Sequence, residues 1–436
     1  MSERPQIIVV GGGAGGLELA TALGNRLGKR KKADVTLIDA SRTHVWKPLL
    51  HEVAAGTLDS HEDELEYLAQ ARWHHFRFRL GRMTGLDRDK REVLVAATRN
   101  DEGNVIVPER RFRYDTLVLA VGSLSNDFGI PGVKEHCLFL DTTAQAERFQ
   151  RRLLDCMLRA HTEGEPIRPG QLDVAIVGAG ATGVELAAQL HQVTRQLSAF
   201  GLDTIDPERH IKLHVIEASP RILPALPPRL SAAATADLAR LGVVVHTNER
   251  VVEVTPEGIR TATGHFIPAA FRVWAAGIKA PDFLQDIAGL ETNRINQLVV
   301  RPTLQTSRDD DIYAIGDCAA CIMNEAGDTV PPRAQAAHQQ ASLVAKSILR
   351  RLKGKPLPSY RYTDYGSLVT LGKYSTVGSL MGGLTGSLMV TGFIARVVYL
   401  SLYKMHQAAL HGWVRTGLLT LAHFLRRAVN PQIKLH

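Results

Sequence analysis

Two glycine-rich loops, each placed directly after an apolar segment, constrain this chain of 436 residues more than any other feature. The first loop follows the apolar segment 6–10 and leads into a predicted helix over 17–27. Gly11 suits a tight turn, Gly13 lets the backbone approach a pyrophosphate, and Gly16 allows helix and strand to pack closely. Free N–H groups at the start of the helix would bind the phosphates. The loop consists of Gly11, Gly12, Gly13, Ala14, Gly15 and Gly16.

An acidic residue completes this first unit. The apolar segment 34–38 ends at Asp39, whose carboxylate would accept hydrogen bonds from a ribose. A glycine loop alone is a weak signal, because many such loops are only tight turns. Strand, loop, helix and terminal acid in this order favour a dinucleotide-binding βαβ unit.

The second loop repeats the order after the apolar segment 173–177. Gly178, Gly180 and Gly183 hold the three key positions, and a helix is predicted over 184–192. A dehydrogenase with one cofactor needs only one such unit. Two units therefore point to a chain that carries FAD on the first and passes it a hydride from NADH on the second.

The matching acid of the second unit is Glu217, which ends the apolar segment 212–216. It lies farther along than usual because 195–210 has the composition of an inserted loop. A carboxylate there favours the free 2′-hydroxyl of NADH and repels the 2′-phosphate of NADPH. A solvated strand end is the alternative for Glu217, and the nearby Arg221 leaves NADPH open.

Three later apolar segments, 114–122, 271–277 and 311–318, contain glycine where a nucleotide-binding sheet is expected to close. Any one of them alone is better explained as a core strand. It is their order along the chain that favours strands of two nucleotide-binding sheets. Backbone is expected to meet a cofactor at Gly122, Ala276, Gly277 and Gly316, with Asp317 holding a flavin hydroxyl.

These patterns predict an α/β protein with two Rossmann-like dinucleotide-binding domains and a C-terminal membrane-associating region. The FAD domain is expected to be discontinuous, over 1–120 and 290–365. The NADH domain is expected over 121–289, and the membrane-associating region over 366–436.

The C-terminal region is distinguished by its charge. No Asp or Glu follows Asp364, and seven basic residues there account for most of the formal charge of +8. Residues 376–395 are uncharged but contain five glycines, which favours a hairpin over a spanning helix. Helices are predicted over 397–403 and 413–429, the second with apolar Val414, Leu418, Leu421 and Leu425 on one face.

A basic helix with one apolar face is typical of a segment that lies in a membrane surface. A core helix or a homodimer interface is the alternative. Nucleic-acid binding is not favoured, because the sequence contains no motif that recognises nucleic acid.

The order of all these segments resembles the two-dinucleotide-binding flavoproteins. Within them, His44-Val-Trp-Lys-Pro-Leu-Leu-His-Glu-Val-Ala-Ala-Gly56 and Ala334-Gln-Ala-Ala-His-Gln-Gln340 resemble the type II NADH dehydrogenases, which are single-subunit, non-pumping NADH:quinone oxidoreductases. The resemblance covers essentially the whole chain. It implies a respiratory enzyme on the cytoplasmic face of the inner membrane, which passes two electrons from NADH through FAD to a membrane quinone. A soluble NADH-dependent flavin reductase and a redox-sensing flavoprotein are the alternatives.

The resemblance also implies roles for individual residues. Glu185 would handle a proton beside the nicotinamide and flavin, although an acid in a first helical turn also suits the helix dipole. Gln335 would hold the quinone carbonyl, and His338 is a weaker proton donor that is better explained as structural. FAD would contact Gly13–Gly16, Asp39, Ala40, Lys47, Met83, Asp317, Ala334 and Gln335, and NADH would contact Gly178, Gly180, Gly183, Glu217, Ala276 and Gly277.

The four cysteines are too few for a disulfide framework and fit a reducing compartment. The segment 42–68 contains none, whereas disulfide reductases with this architecture commonly carry a reactive pair there. Cys318 and Cys321 leave a redox or soft-metal role open if a helix begins beside them, but structural thiols are favoured. No metal site is predicted.

Overall fold

The computed structural model describes residues 4–100, 102–162, 166–371, 375–382 and 386–429. Contacts divide the chain into two compact units. The first comprises Met1–Trp46, Glu64–Leu124 and Ile278–Asp364, and the second comprises Lys47–Asp63, Ser125–Gly277 and Tyr365–His436.

The first unit is built on an eight-stranded sheet, in which the predicted strand Gln6–Val10 is an interior strand. This strand pairs in parallel with Asp34–Asp39 on one side and Thr116–Leu119 on the other, and all three are apolar and largely buried. The order across the sheet is Ala319–Cys321, Leu298–Val300, Gln305–Thr306, Asp309–Ala314, Thr116–Leu119, Gln6–Val10, Asp34–Asp39 and Arg77–Leu80.

Helices cover this sheet and smaller strands extend the unit. The first loop begins the helix Ala14–Leu23, which packs against Ala334–Arg351 and continues as a π-helical turn over Gly24–Gly28. The remaining elements are the helix Tyr67–His74, the antiparallel strands Met83–Asp87, Glu92–Val95 and Arg110–Arg113, and the short strand pairs Thr43–His44 with Leu65–Glu66 and Thr98–Arg99 with Val105–Val107.

The second unit repeats the plan with a five-stranded parallel sheet. Trp274 is buried in its core, against a small antiparallel sheet. The parallel order is Leu138–Phe139, Phe271–Trp274, Val174–Val177, Leu213–Ile216 and Val244–His246, and the antiparallel strands are Val251–Thr255, Gly258–Thr261 and Phe266–Pro268.

The main helices of the second unit are Thr143–Thr162, Ala181–Ala199 and Pro228–Arg240. The predicted inserted loop over 195–210 is partly wrong, because Ala181–Ala199 continues into it through residues that favour helix, and Pro207–His210 is a short helix. Leu50–Ala55 packs against both Thr143–Thr162 and Ala181–Ala199. Short helices also occur at Lys47–Leu49, Ser60–Asp63 and Val133–His136, and in the first unit at Asp282–Leu284, Ile287–Gly289 and Gly316–Cys318.

The C-terminal region forms the predicted hairpin and helices. Gly366–Leu371, Ser375–Gly382 and Gly386–Thr391 form an antiparallel sheet, followed by the helices Gly392–His411 and Trp413–Val429. Gly366–Leu371 packs against Ala181–Ala199. Within the described residues, the helices all fall short of the length and hydropathy that crossing a membrane requires.

The compact units differ from the expected domain boundaries. Segment 47–63 and the C-terminal region both group with the second unit, and 121–124 and 278–289 group with the first. The first two differences have a common cause, since Leu50–Ala55 and Gly366–Leu371 both pack against Ala181–Ala199.

Candidate dinucleotide-binding and active sites

The first glycine loop is shaped by close backbone packing. Gly11 has a φ of +98°, and a Cβ there would collide with the carbonyl of Ala120. A Cβ on Gly16 would likewise collide with the carbonyl of Gly11. Gly13 differs, because a Cβ there would meet nothing within 4 Å. Its open position at the N-cap of the helix, without a side-chain cap, suits the FAD pyrophosphate.

Asp39 ties the end of the second strand to this loop. Its Oδ2 accepts a hydrogen bond of 2.6 Å from the Gly12 N–H, and its Oδ1 accepts one of 2.7 Å from the Ser41 N–H. Burial raises the pKa of Asp39, and the two hydrogen bonds oppose that shift. Each carboxylate oxygen has a second lone pair, so a ribose hydroxyl can also bind. Ala40 beside it is exposed.

The sequence analysis did not identify Tyr67, whose side chain packs against Gly12 of the first glycine loop. Its hydroxyl donates a 2.8 Å hydrogen bond to the Gly12 carbonyl, and its ring stacks on Phe78. A Cβ on Gly12 would collide with this ring. Burial raises the pKa of Tyr67 well above its ordinary value, so the hydroxyl stays protonated. A single tyrosine in a polar helix does not indicate from the sequence alone that it contacts a glycine loop.

Gly122, Gly316 and Asp317, the residues expected to meet the cofactor where the first sheet closes, lie at the carboxyl edge of that sheet. The register pairs Leu119 with both Val10 and Ala314, so Gly122 and Gly316 lie near the glycine loop. The Ser123 hydroxyl donates a 2.8 Å hydrogen bond to Asp317 Oδ2. Met83 begins a neighbouring strand, two residues after Gly81, whose N–H donates to the Asp39 carbonyl at 2.7 Å.

Ala334 and Gln335 begin the helix that packs on the loop helix. The Gln335 amide nitrogen donates a 3.2 Å hydrogen bond to Asp364 Oδ1, which orients the side chain. One turn later, His338 Nδ1 lies 2.5 Å from Oε2 of the buried Glu18. This hydrogen bond raises the pKa of His338, which agrees with the structural role favoured above.

The second glycine loop reproduces the first. Gly178 has a φ of +99° and packs on Ala275, and a Cβ on Gly183 would collide with the Gly178 carbonyl. Gly180 is the open N-cap residue, with nothing within 4 Å of a Cβ. These features suit the pyrophosphate of NADH.

Glu217 ties its strand to the second loop as Asp39 does in the first unit. Its Oε2 accepts a 2.9 Å hydrogen bond from the Ala179 N–H, and its Oε1 accepts one of 2.8 Å from the Ser219 N–H. The Arg221 guanidinium donates to the carbonyls of Pro224 and Leu226. Arg221 is thus committed to backbone contacts in the structure.

Ala276 and Gly277 follow the strand Phe271–Trp274, at the same sheet edge as Gly178. Gly277 has a φ of +63°, and the ring of Phe128 lies where its Cβ would be. The Gly277 carbonyl accepts a hydrogen bond from the Asn126 N–H. This edge is where an open α/β sheet binds its ligand.

Glu185 is buried within the second unit, on the helix Ala181–Ala199. Its Oε1 accepts a 3.0 Å hydrogen bond from the Thr370 N–H, and its Oε2 lies 3.7 Å from His51 Nε2. Burial raises the pKa of Glu185 to about 8, and the charge of Glu52 adds to the shift. Lys47 lies in the same unit, 3.7 Å from Asp141 Oδ1.

The cysteine pair has the properties of structural thiols. Cys318 ends a single 3₁₀ turn and Cys321 ends a short strand, so no α-helix begins beside them. Burial raises the pKa of each thiol to about 11. Among the residues that the structure describes, no three His, Cys, Asp or Glu side chains are grouped to hold a metal.

Fold and site together define an oxidoreductase with two dinucleotide-binding units. A family model described as pyridine nucleotide-disulphide oxidoreductase matches residues 5–341. A type II NADH:quinone oxidoreductase from Haemophilus influenzae is 46% identical, covering 99% of each chain. One from Staphylococcus aureus is 30% identical, covering 87% of this chain and 90% of the relative. The chain therefore belongs to the type II NADH:quinone oxidoreductases.

Solved structures share the fold at lower identity. NDH2 from Plasmodium falciparum in complex with NADH has a TM-score of 0.82 at 19% identity, covering 99% of this chain and 100% of that chain. The sulfide:quinone oxidoreductase from Aquifex aeolicus has a TM-score of 0.70 at 19% identity, covering 94% and 92%. The predicted fold class is thus confirmed.

Proposed function

We propose that the protein is an NADH:quinone oxidoreductase that uses bound FAD. The observation that carries this proposal is the presence of two matched sites in one chain. Each has an open glycine at a helix N-cap and a carboxylate bonded to its own loop, Asp39 in one unit and Glu217 in the other. Membership of the type II NADH:quinone oxidoreductases indicates that the electron acceptor is a quinone.

The residues present fit both dinucleotides. Gly13 and Gly180 leave room for a pyrophosphate, and Asp39 and Glu217 keep acceptor capacity for ribose hydroxyls. FAD, when bound, accepts a hydride from NADH and gives two electrons to the quinone. The protein binds and orients the reactants, and Asp317, Lys47, Met83 and Ala334 are our further candidates for FAD contacts.

Two side chains are our candidates for the acceptor reaction. Reduction of a quinone by a hydride equivalent consumes one further proton, and a carboxyl with a pKa of about 8 holds a proton at neutral pH. Glu185 is therefore proposed as the proton donor. Gln335 is proposed to orient the quinone carbonyl, since its amide is already held by Asp364.

We also propose that the C-terminal helix Trp413–Val429 attaches the enzyme to the cytoplasmic face of the inner membrane. Val414 is 81% exposed, and Trp413, Leu418, Leu421 and Leu425 are also largely exposed. An exposed apolar face in an acid-free region suits a bilayer with anionic lipids. A homodimer interface is the second candidate for the same face, because it would also cover these side chains.

Rapid mixing tests the function. NADH should bleach the flavin absorbance of the purified protein anaerobically, and a quinone should restore it at a rate that supports turnover. NADPH should bleach it more slowly. Fast reduction without reoxidation by any quinone would instead indicate a soluble reductase or a redox sensor.

A further inference from the structure

A buried imidazole faces the carboxyl group of Glu185. His51 lies on the helix Leu50–Ala55, which packs against the helix that carries Glu185. The side chains of His51 and Glu185 are 1% and 6% exposed. His51 Nε2 and Glu185 Oε2 are 3.7 Å apart. A small side-chain rotation would bring these atoms to hydrogen-bonding distance, and catalytic contacts often shorten only when substrates bind.

The two nitrogens of His51 have different environments. The Pro48 carbonyl accepts a hydrogen bond from the ring. Nε2 has no hydrogen-bond partner among the described residues, so this bond belongs to Nδ1. The neutral ring therefore carries its proton on Nδ1 and directs the Nε2 lone pair toward Glu185. Burial lowers the pKa of His51 to about 4, which agrees with the neutral form.

The surroundings of Glu185 favour its protonated form. From the Leu50–Ala55 helix, Glu52 adds a negative charge that disfavours ionisation. From the strand Gly366–Leu371, the Thr370 N–H donates a hydrogen bond to Glu185. The helix Thr143–Thr162, which also packs against Leu50–Ala55, carries Glu147, whose carboxylate accepts a hydrogen bond from the Ser60 hydroxyl. No basic side chain is a source of the pKa shift of Glu185.

We propose that Glu185 and His51 hold one shared proton, carried on Glu185 Oε2 and accepted by His51 Nε2, and that His51 thereby positions Glu185 as the donor to the quinone. This inference rests on the proposed NADH:quinone activity. NADH supplies two electrons and one proton as a hydride. The Glu185 O–H bond breaks, an O–H bond forms on the quinone, and the carboxylate left behind takes its next proton from solvent.

The test compares pH profiles of kcat for quinone reduction across three variants. His51→Leu removes the acceptor at Nε2, whereas His51→Gln keeps an acceptor at the same distance from the backbone. His191→Leu is the matched control, because His191 is a buried histidine on the same helix as Glu185, about 9 Å farther along its axis. FAD content and the melting temperature confirm that each variant is folded.

In the wild type, kcat should fall as the pH rises through about 8, because Glu185 loses its proton there. His51→Leu should move this fall to lower pH by about one unit, the size expected for one lost hydrogen bond to the neutral acid. His51→Gln should restore most of the shift, and His191→Leu should leave the profile unchanged. Glu185→Gln should abolish the fall of kcat at high pH. In the double variant, His51→Leu should therefore cause no further shift of the pH profile.

Two results for His51→Leu in the pH profiles would overturn the proposal. One is an unchanged pH profile in folded His51→Leu. The other is an equal shift by His51→Leu when Glu185→Gln is also present, which would show that His51 acts through another group. Wild-type kcat in Glu185→Gln overturns the role of Glu185 itself, while loss of NADH:quinone turnover in the wild type would contradict the proposed function first.

An infrared measurement supplies a readout that does not depend on turnover. The band of a protonated carboxyl should be present at neutral pH in the FAD-loaded enzyme and absent from Glu185→Gln. It should move in frequency in His51→Leu, because its hydrogen bond is lost, and it should not move in His191→Leu. A band that is identical in wild type and His51→Leu contradicts the shared proton.

Discussion

At the scale of single residues, Asp39 and Glu217 have the same task in two separate units. Each carboxylate accepts a hydrogen bond from a loop N–H with one oxygen and from the N–H two residues after itself with the other. The acid thus holds the loop in shape and, as we propose, also offers acceptors to a ribose. Its replacement should affect only the dinucleotide of its own unit.

Glu217→Gln tests this division. The variant keeps an oxygen acceptor but loses the charge that repels a 2′-phosphate, so the preference for NADH over NADPH in kcat/KM should fall by roughly tenfold. Steady-state kinetics with both nucleotides measure the effect. Asp39→Asn is the matched control, which should weaken FAD retention without changing the nucleotide preference. Equal changes in preference in both variants would contradict the assignment.

At the scale of elements, sequence patterns predicted what is local. The two loops, their strands and their terminal acids follow one another along the chain, so composition and spacing were sufficient. Tyr67 behind Gly12, and His51 and Thr370 beside Glu185, could not be predicted, because these contacts join segments far apart in the sequence. The helix Ala181–Ala199 was predicted too short because its C-terminal part resembled a polar loop.

The contact between Glu18 and His338 joins two helices of the first unit and should depend on pH. The bond to Glu18 raises the pKa of His338, so its stabilising effect is complete below the unfolded value near 6.5. The effect is lost as the pH rises through the raised pKa. The melting temperature of the wild type should therefore decline over this range relative to His338→Gln. Parallel melting curves for the two proteins across pH would exclude the effect.

At the scale of the whole molecule, the C-terminal region combines the proposed membrane attachment with a hydrogen bond to Glu185. Its last helix exposes an apolar face, while its first strand gives the Thr370 N–H to Glu185. The side chains proposed for the membrane and the backbone N–H that bonds to the proposed proton donor therefore lie on one continuous segment of chain. Large truncations would change both properties together, so point substitutions separate them better.

Replacement of Trp413, Leu418 and Leu421 by serine should abolish sedimentation with anionic vesicles, since their side chains supply most of the apolar area of the face. Reduction of a water-soluble quinone should be unchanged. The control replaces Leu68, Leu158 and Phe200, which are exposed apolar side chains elsewhere on the protein, and should keep vesicle binding. If the first variant still binds vesicles but changes from dimer to monomer, the face is a subunit interface.

The bond between Glu185 and Thr370 also has a practical consequence for anyone who wants a water-soluble form of this enzyme. Gly366–Leu371 pairs with Ser375–Gly382, which pairs in turn with Gly386–Thr391. A shortened gene should therefore end after His411, so that the complete sheet and the helix Gly392–His411 that packs on it are translated and the helix Trp413–Val429 is left out. A stop codon placed before Thr391 would leave the sheet that contacts Glu185 incomplete.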